Sequence, residues 1–469
     1  MEPVNFGILS ILPAVAALAL AFITRDAIFS LIVGCLIGLV ITGQNIFVGV
    51  SQLMQGALGN ADFIWVLGIE VFVGILVALF QKSGAIDGFT KALENKSIKA
   101  RGAQLLAWLL GIFIFFSDYF SPLYTGTVMR DITDKAKVSR EKLSYICDST
   151  SAPICTLIPF SSWGIYIAGL LVGIGVFADK MTAQNAVVQM VKYNFYGIFA
   201  IAMVGLIAAG IIPDFGPMKK AEKRAREEGK VLADGAKPLI GKELSEIKPN
   251  AGIKPNLFIN FFMPAIIIIA TTVGTYLVLG SAKTLEAFIA AVTYQFIVML
   301  IQRMGTIQEL VETSINGIKG VMSAIIILAL AYCLNSITKQ LGTASFVIDA
   351  TSNWITPTLL LVFTFVICAF ISFFTGTSWG TYAIMIPIAV PLAFDMTGGA
   401  ATGLVYATIA SVVGGGCFGD HCSPLSDTTI LSSLGAGADH IDHVKTQIPY
   451  ALSIGALTCV LYLILGITL

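Results

Sequence analysis

Apolar runs of membrane-spanning length recur along the whole chain, separated by short polar breaks. A helix needs about 20 apolar residues to cross a bilayer. On that measure the runs predict helices near 6–23, 27–43, 62–81 and 185–213, then near 257–279, 284–302, 318–338 and 446–468. Four other segments are too long or too interrupted for plain spans. Segments 102–129 and 357–395 read as re-entrant hairpins, and 138–178 and 400–434 as broken helices, because polar and Pro/Gly-rich stretches cut through them. The expected fold is an all-α polytopic membrane protein, with about ten transmembrane helices, two hairpins and two broken helices.

Composition agrees. The 469 residues are 56% hydrophobic and only 12% charged, against about 45–50% and about 25% in soluble domains. That excludes a disordered chain and a typical soluble enzyme. Balanced charge, 28 basic against 28 acidic residues, argues against a nucleic-acid partner, which needs a basic face. The eight cysteines, none in a C-x-x-C pair, read as small buried hydrophobes. No basic residue precedes the first apolar run, so that run reads as a retained helix rather than a secretory signal.

The position of the charges is more informative than their sum. Segments 82–101, 130–142 and 217–256 hold twenty of the 28 basic residues. The positive-inside bias places all three on the cytoplasmic side. Segments 82–101 and 130–142 flank 102–129, so the latter must enter and leave on one side, as a hairpin does. The charged segment 217–256 reads as a solvated linker between two apolar halves, 1–216 and 257–469.

The halves resemble each other. Ile114–Thr127 (IFFSDYFSPLYTGT) and Tyr145–Pro153 (YICDSTSAP) correspond to Phe370–Thr377 (FISFFTGT) and Phe418–Pro424 (FGDHCSP). The linker Leu53–Asp62 has a counterpart near Leu310–Lys319. Each half carries an odd number of crossings, so the second starts on the opposite side from the first. This is an inverted-topology repeat, the mark of a secondary transporter with its site near the midplane. Both termini are then expected outside, in a bacterial-type inner membrane.

Irregular backbone at membrane depth survives only inside protein or beside a water-filled cavity. The breaks are therefore where a site is expected. At Asp148, Ser149, Thr150 and Ser151 the helix should stop, and Pro153 suits a restart with Ser or Thr as cap. Ser423-Pro424 repeats the device. Exposed carbonyls and hydroxyls there are hard oxygen ligands suited to sodium. Asp118, Asp148, Asp420 and Asp427 lie in or beside these elements, and Glu70 sits midway along 62–81. Each costs roughly 2.5–3.5 kcal/mol to insert, so each needs a structural pairing or a role as a cation ligand that exchanges sodium for a proton. Ser117, Asp118, Thr125 and Thr127 belong to the first hairpin. Thr375, Gly376, Thr377 and Ser378 form the second tip, which has hydroxyls and no carboxylate. That tip either meets the organic part of a substrate or completes a sodium shell. A sodium ion is expected around Asp148, Ser149, Thr377 and Asp420. His421, between Cys417 and Cys422, has no usual zinc spacing and reads as a proton-linked or structural histidine. His440 and His443 read as solvated surface in a polar stretch. Gly414-Gly415-Gly416 lacks the strand context of a phosphate loop and reads as a site of close helix packing or of unwinding.

Residues 117–164 and 414–452 resemble the two signatures of the NhaC-type sodium/proton antiporter family, in the same order. The resemblance implies the ion transporter superfamily fold, with a scaffold that mediates homodimerisation and a mobile transport domain. It highlights Asp118, Asp148, Ser149, Thr150, Asp420, His421, Ser423, Pro424 and Asp427. Ser117 stands where many relatives carry a second acid. The family also holds carriers of organic acids and amino acids. The expectation is thus a sodium-coupled transporter, most simply a sodium/proton antiporter, needing no cofactor beyond sodium as coupling ion. The alternative is a carrier of a small organic anion or amino acid, for which Trp163, Trp379 and Tyr382 offer aromatic surface. An intramembrane aspartyl protease has no place for an inverted repeat or for hairpin flanks in the cytoplasm, and a passive channel, which re-entrant hairpins alone would allow, would be excluded by saturable, gradient-coupled flux.

Overall fold

The computed structural model describes residues 6–24, 26–86, 88, 99–115, 118–159, 161–239, 247–250, 255–279, 283–343, 346 and 358–469. Among these the secondary structure is helical. A 3-10 turn leads into α1 (Leu12–Thr24), followed by α2 (Ala27–Ile41), α3 (Ile46–Leu58) and α4 (Ala61–Ser83). The segment expected as the first hairpin holds α5 (Ala100–Phe113) and α6 (Phe120–Lys135). The first broken helix is α7 (Arg140–Ser149), α8 (Ala152–Leu157) and α9 (Ser162–Leu171), followed by α10 (Lys180–Met190) and α11 (Phe195–Ala208). The charged linker folds into α12 (Gly216–Glu228). The second half runs α13 (Met263–Leu279), α14 (Thr284–Ile301) and α15 (Ile307–Gln340). The segment expected as its hairpin holds α16 (Leu360–Thr375) and α17 (Ser378–Met396), its broken helix is α18 (Gly403–His421) and α19 (Asp427–Ala436), and its last helix is α20 (His440–Thr468).

Among the described residues five helices are long and apolar enough to cross a membrane, or eight if three bent pairs each count as one span. Large apolar side chains such as Phe47 (87% exposed), Val278 (82%) and Ile301 (75%) face outward. In water such surface is a liability; in a bilayer it is the solvated face.

Four predicted boundaries differ from the structure, the first being the helix expected over 185–213, which is split into α10 and α11 with a 50° bend between them. Residues 53–58 belong to α3, which is bent by 115° from α2, rather than to a linker; Asn45 caps its start, accepting from the Phe47 and Val48 amides. Helix α15 begins at Ile307 rather than near 318. A capping box between Thr306 and Glu309 starts it early, so its first polar turns are helical too and residues 310–319 are no linker either. Helix α20 begins at His440 rather than 446, because Asp439 caps it and accepts from the Asp442 amide at 3.0 Å.

Two apolar clusters hold the molecule together, and each draws on both halves of the sequence. One joins α1–α7 with α13–α15 and α19; the other joins α8–α11 with α16–α18 and part of α20. Close helix crossings depend on missing side chains. A Cβ on Gly74 of α4 would lie 2.7 Å from the Gly317 carbonyl oxygen of α15, and one on Gly317 would lie 2.4 Å from that of Gly74. Helix α18 packs on α16 with Gly415 and Gly419 against the carbonyls of Phe365 and Ala369, where Cβ atoms would sit at 2.3 and 2.1 Å. Small residues at this spacing let two backbones touch, as expected of the glycine triplet.

Described parts of the segment 217–256 touch both other basic segments. Ser139, just before α7, donates from its amide and hydroxyl to Glu222 of α12 at 2.8 and 2.9 Å. Arg224 bonds Glu141 at 2.9 Å, and Lys142 pairs with Asp214. The Lys237 amide donates to Asp439 at 2.8 Å, which ties the linker to the start of α20. The Asn250 amide donates to the Lys82 carbonyl at 2.9 Å, which brings in the end of α4. Most of 82–101 and part of 217–256 lie outside the described residues.

Candidate ion-binding site

The four interrupted elements converge. Helix α7 stops at Ser149, and Pro153 lies in the first turn of α8. The expected capping by Ser151 is absent: its hydroxyl donates back to the Asp148 carbonyl at 2.7 Å. Thr150 likewise turns back, to the Ile146 carbonyl at 2.7 Å. In the second half α18 stops at His421 and α19 restarts only at Asp427, with Ser426 rather than Ser423 as its cap. Ser423 instead donates to the Phe373 carbonyl in α16 at 2.7 Å, which binds this break to the second hairpin.

The two breaks face each other. Ser149 Oγ lies 3.1 Å from His421 Nε2, and the other ring nitrogen lies 2.9 Å from the Tyr196 hydroxyl. Asp148 is fully buried. Its Oδ2 accepts from Gln447 at 2.7 Å and lies 3.2 Å from His443 Nε2. The Gln447 amide also donates to the His421 carbonyl. Both hairpin tips reach the second break. Tyr119 donates to Asp427 Oδ2 at 2.8 Å, and Ser378 donates to Asp420 Oδ2 at 2.6 Å.

Oxygen atoms are left over at this convergence. Asp148 Oδ1, Asp420 Oδ1, Asp118 Oδ2, Thr125 Oγ1 and both Glu70 carboxyl oxygens are buried without a hydrogen-bond partner. Buried polar groups are nearly always paired, so each of these orphaned oxygens is open to a ligand that supplies positive charge. Asp427 interacts electrostatically with Glu70, Asp118 and Asp420, and Asp420 with Asp148. No lysine or arginine pairs with any of these five acids among the described residues; there, their one ionic partner is His443, on Asp148. No group of three His, Cys, Asp or Glu side chains among the described residues is arranged to hold a metal ion.

The expected residues fall into three neighbourhoods. Asp148, Ser149 and His421 form one with Gln447, His443 and Tyr196. Asp420 and Ser378 form a second. Asp427, Thr375, Gly376 and Thr377 line a cavity of about 470 Å³. Gly376 has φ +68°, the left-handed conformation that closes the hairpin tip. Thr127 is buried within α6. Trp163 is fully buried against Trp379 and Tyr382, with ring centroids 4.9 and 5.4 Å apart. Ser117 lies outside the described residues.

His440 and His443 overturn the surface expectation. Both are buried, and His440 braces the second break between the Pro424 carbonyl at 2.9 Å and Ser433 at 3.0 Å. The i, i+4 spacing of His443 and Gln447 puts them on one face of α20. That spacing was the available signal, but it needed the helix start at His440.

Buried acids at facing helix breaks, reached by two hairpins within an apolar helical body, define a membrane transporter of the broken-helix class. The comparisons carry this one step further. The family model described as the Na+/H+ antiporter family matches residues 154–467, and the chain belongs to that family, the NhaC type. An uncharacterised protein of Haemophilus influenzae is 34% identical over all of this chain and 93% of its own length. The Malate-2H(+)/Na(+)-lactate antiporter of Bacillus subtilis is 29% identical over 44% of each protein. The Na(+)/H(+) antiporter NhaC of Alkalihalophilus pseudofirmus is 33% identical over 34% of this chain and 33% of its own.

Proposed function

We propose that this chain is a sodium-coupled secondary transporter, most simply a sodium/proton antiporter working by elevator-like alternating access. Sodium and protons compete for the intramembrane aspartates around the facing breaks, with Asp148 as the central ligand. The observation that carries the reading is the set of buried acids with orphaned oxygens and no lysine or arginine partner among the described residues. A lysine or arginine partner would hold such acids in one charge state; without one among the described residues, the charge is left to an exchangeable cation.

Several features support the wider reading. The element order of hairpin, broken helix and final helix occurs in both halves. The contacts of 217–256 with both other basic segments support a cytoplasmic location for 82–101, 130–142 and 217–256, which puts both termini outside a bacterial-type inner membrane. The two halves then form inverted repeats, 1–216 and 257–469, and the family expectation is a homodimer. An unequal exchange of sodium and protons would be driven by voltage at about 2.3 kcal/mol per charge per 100 mV. The test is sodium-driven pH change in proteoliposomes that contain no organic solute.

A second reading, sodium- or proton-coupled carriage of a small organic acid or amino acid, is favoured by one observation: the cavity beside Asp427 is far larger than a bare ion requires. The named activities of the Bacillus subtilis relative and of the Arginine/ornithine antiporter ArcD of Halobacterium salinarum are compatible with it.

A further inference from the structure

The 470 Å³ cavity lies between the α3–α4 and α15 helices on one side and the second hairpin tip on the other. This is within the usual range of about 300–1,000 Å³ for small-molecule sites. Its two charged lining residues carry opposite signs. Lys339, near the end of α15, is exposed at the rim, and Asp427 is only 7% exposed. Lys339 makes no ion pair among the described residues. One turn before it, Asn335 also lines the cavity, and its buried side-chain oxygen has no hydrogen-bond partner.

The wall also carries aromatic rings, those of Trp65, Tyr332 and Trp379 among them, beside small and hydroxyl residues. Aromatic faces attract an ammonium group and cover apolar surface at the same time. The lining therefore offers Lys339 as a partner for a carboxylate, Asp427 as a partner for an ammonium group and Asn335 as an orphaned acceptor. A hydrated metal cation has no use for Lys339, and a simple anion is repelled by Asp427.

We propose that this cavity binds a zwitterionic α-amino acid, its carboxylate at Lys339 and its ammonium group at Asp427 within the aromatic wall. The proposal deepens the carrier reading and rests on it. Asp427 interacts electrostatically with Asp118 and Asp420, so solute binding and cation occupancy share one charge cluster. Thr375 and Thr377 at the hairpin tip line the same space, which couples the solute to the element expected to move.

The test uses the full chain in detergent, probed by thermal shift with each of the twenty standard amino acids, with and without sodium. For every hit, the matching deaminated acid and decarboxylated amine are run beside it. At least one amino acid should raise the melting temperature, and neither one-charge counterpart should match it. Lys339→Met should weaken that amino acid at least tenfold, while Lys339→Arg retains it. The proposal is overturned if no amino acid binds, if a plain carboxylic acid or amine binds as tightly, or if Lys339→Met binds like the unsubstituted protein. The same preparation is assayed for sodium-driven pH change without organic solute. A pH response with no amino-acid binding overturns the cavity assignment and leaves the antiporter reading standing. Amino-acid binding without a pH response supports the cavity assignment and removes the antiporter reading.

Discussion

Asp148→Asn should separate ion binding from folding. Asp148 Oδ2 accepts from Gln447 at 2.7 Å and faces His443 at 3.2 Å, while Oδ1 has no partner. An asparagine can place its carbonyl oxygen where Oδ2 lies and its amide where nothing is paired. Both contacts survive as neutral ones. A hydrogen bond to a charged group contributes about 1.5–3 kcal/mol and a neutral one about 0.5–1.5, so the folded state loses roughly 1–3 kcal/mol. Relief of a buried charge offsets part of this. Unfolding entropy of about 2.1 cal/mol/K per residue gives this chain a shift of about 1 °C per kcal/mol, so melting should fall by no more than about 3 °C. Ion binding suffers far more. A cation about 3 Å from a carboxylate gains roughly 5 kcal/mol at an effective dielectric of about 20. If desolvation cancels half, the remainder still amounts to about a hundredfold in affinity. The assay pairs a melting curve with sodium-dependent flux from the same preparation. Normal sodium dependence in a folded Asn variant would show that Asp148 is structural. Collapse of the fold would show that the carboxylate charge, rather than its shape, holds the two breaks together.

Two other substitutions probe the architecture. Gln447→Leu leaves both Asp148 and the His421 carbonyl short of a donor; a lost charge-assisted bond of about 1.5–3 kcal/mol and an unsatisfied carbonyl of about 1–3 kcal/mol should lower melting by about 3–6 °C, and no change would mean that Gln447 does not bridge the breaks. Gly419→Val forces a side chain onto the Ala369 carbonyl, where even a Cβ would lie at 2.1 Å; overpacking of this kind costs about 1–3 kcal/mol or more, so folded yield and melting temperature should drop, and an unaltered melting curve would place α16 and α18 further apart.

Much of this was readable from the chain because membrane proteins write their topology in apolar length and basic charge. The hairpin expected at 102–129 follows from the flanking basic segments, and the structure breaks the helix there, between α5 and α6. The breaks at Asp148 and Asp420 were visible because polar residues interrupt apolar runs. Buried polar positions next to real surface were not. The stretch from Asp439 to Gln447 has the composition of a solvated turn, yet one face of it supplies His440, His443 and Gln447 to the interior. Polar residues facing a polar site carry the same sequence signal as polar residues facing water. Lys339 was hidden for a related reason: a lysine near the end of a helix ordinarily satisfies the helix dipole, and only the cavity beside it distinguishes this one. Helix α3 was missed because a 115° bend turns it out of the run it continues.

The most direct measurement of the central claim is internal pH in proteoliposomes after an imposed sodium gradient, with every organic solute omitted. Competition between sodium and protons at the buried aspartates predicts a saturable, sodium-dependent pH change that disappears in Asp148→Asn. A flat trace that responds only when an amino acid or carboxylic acid is added would contradict it.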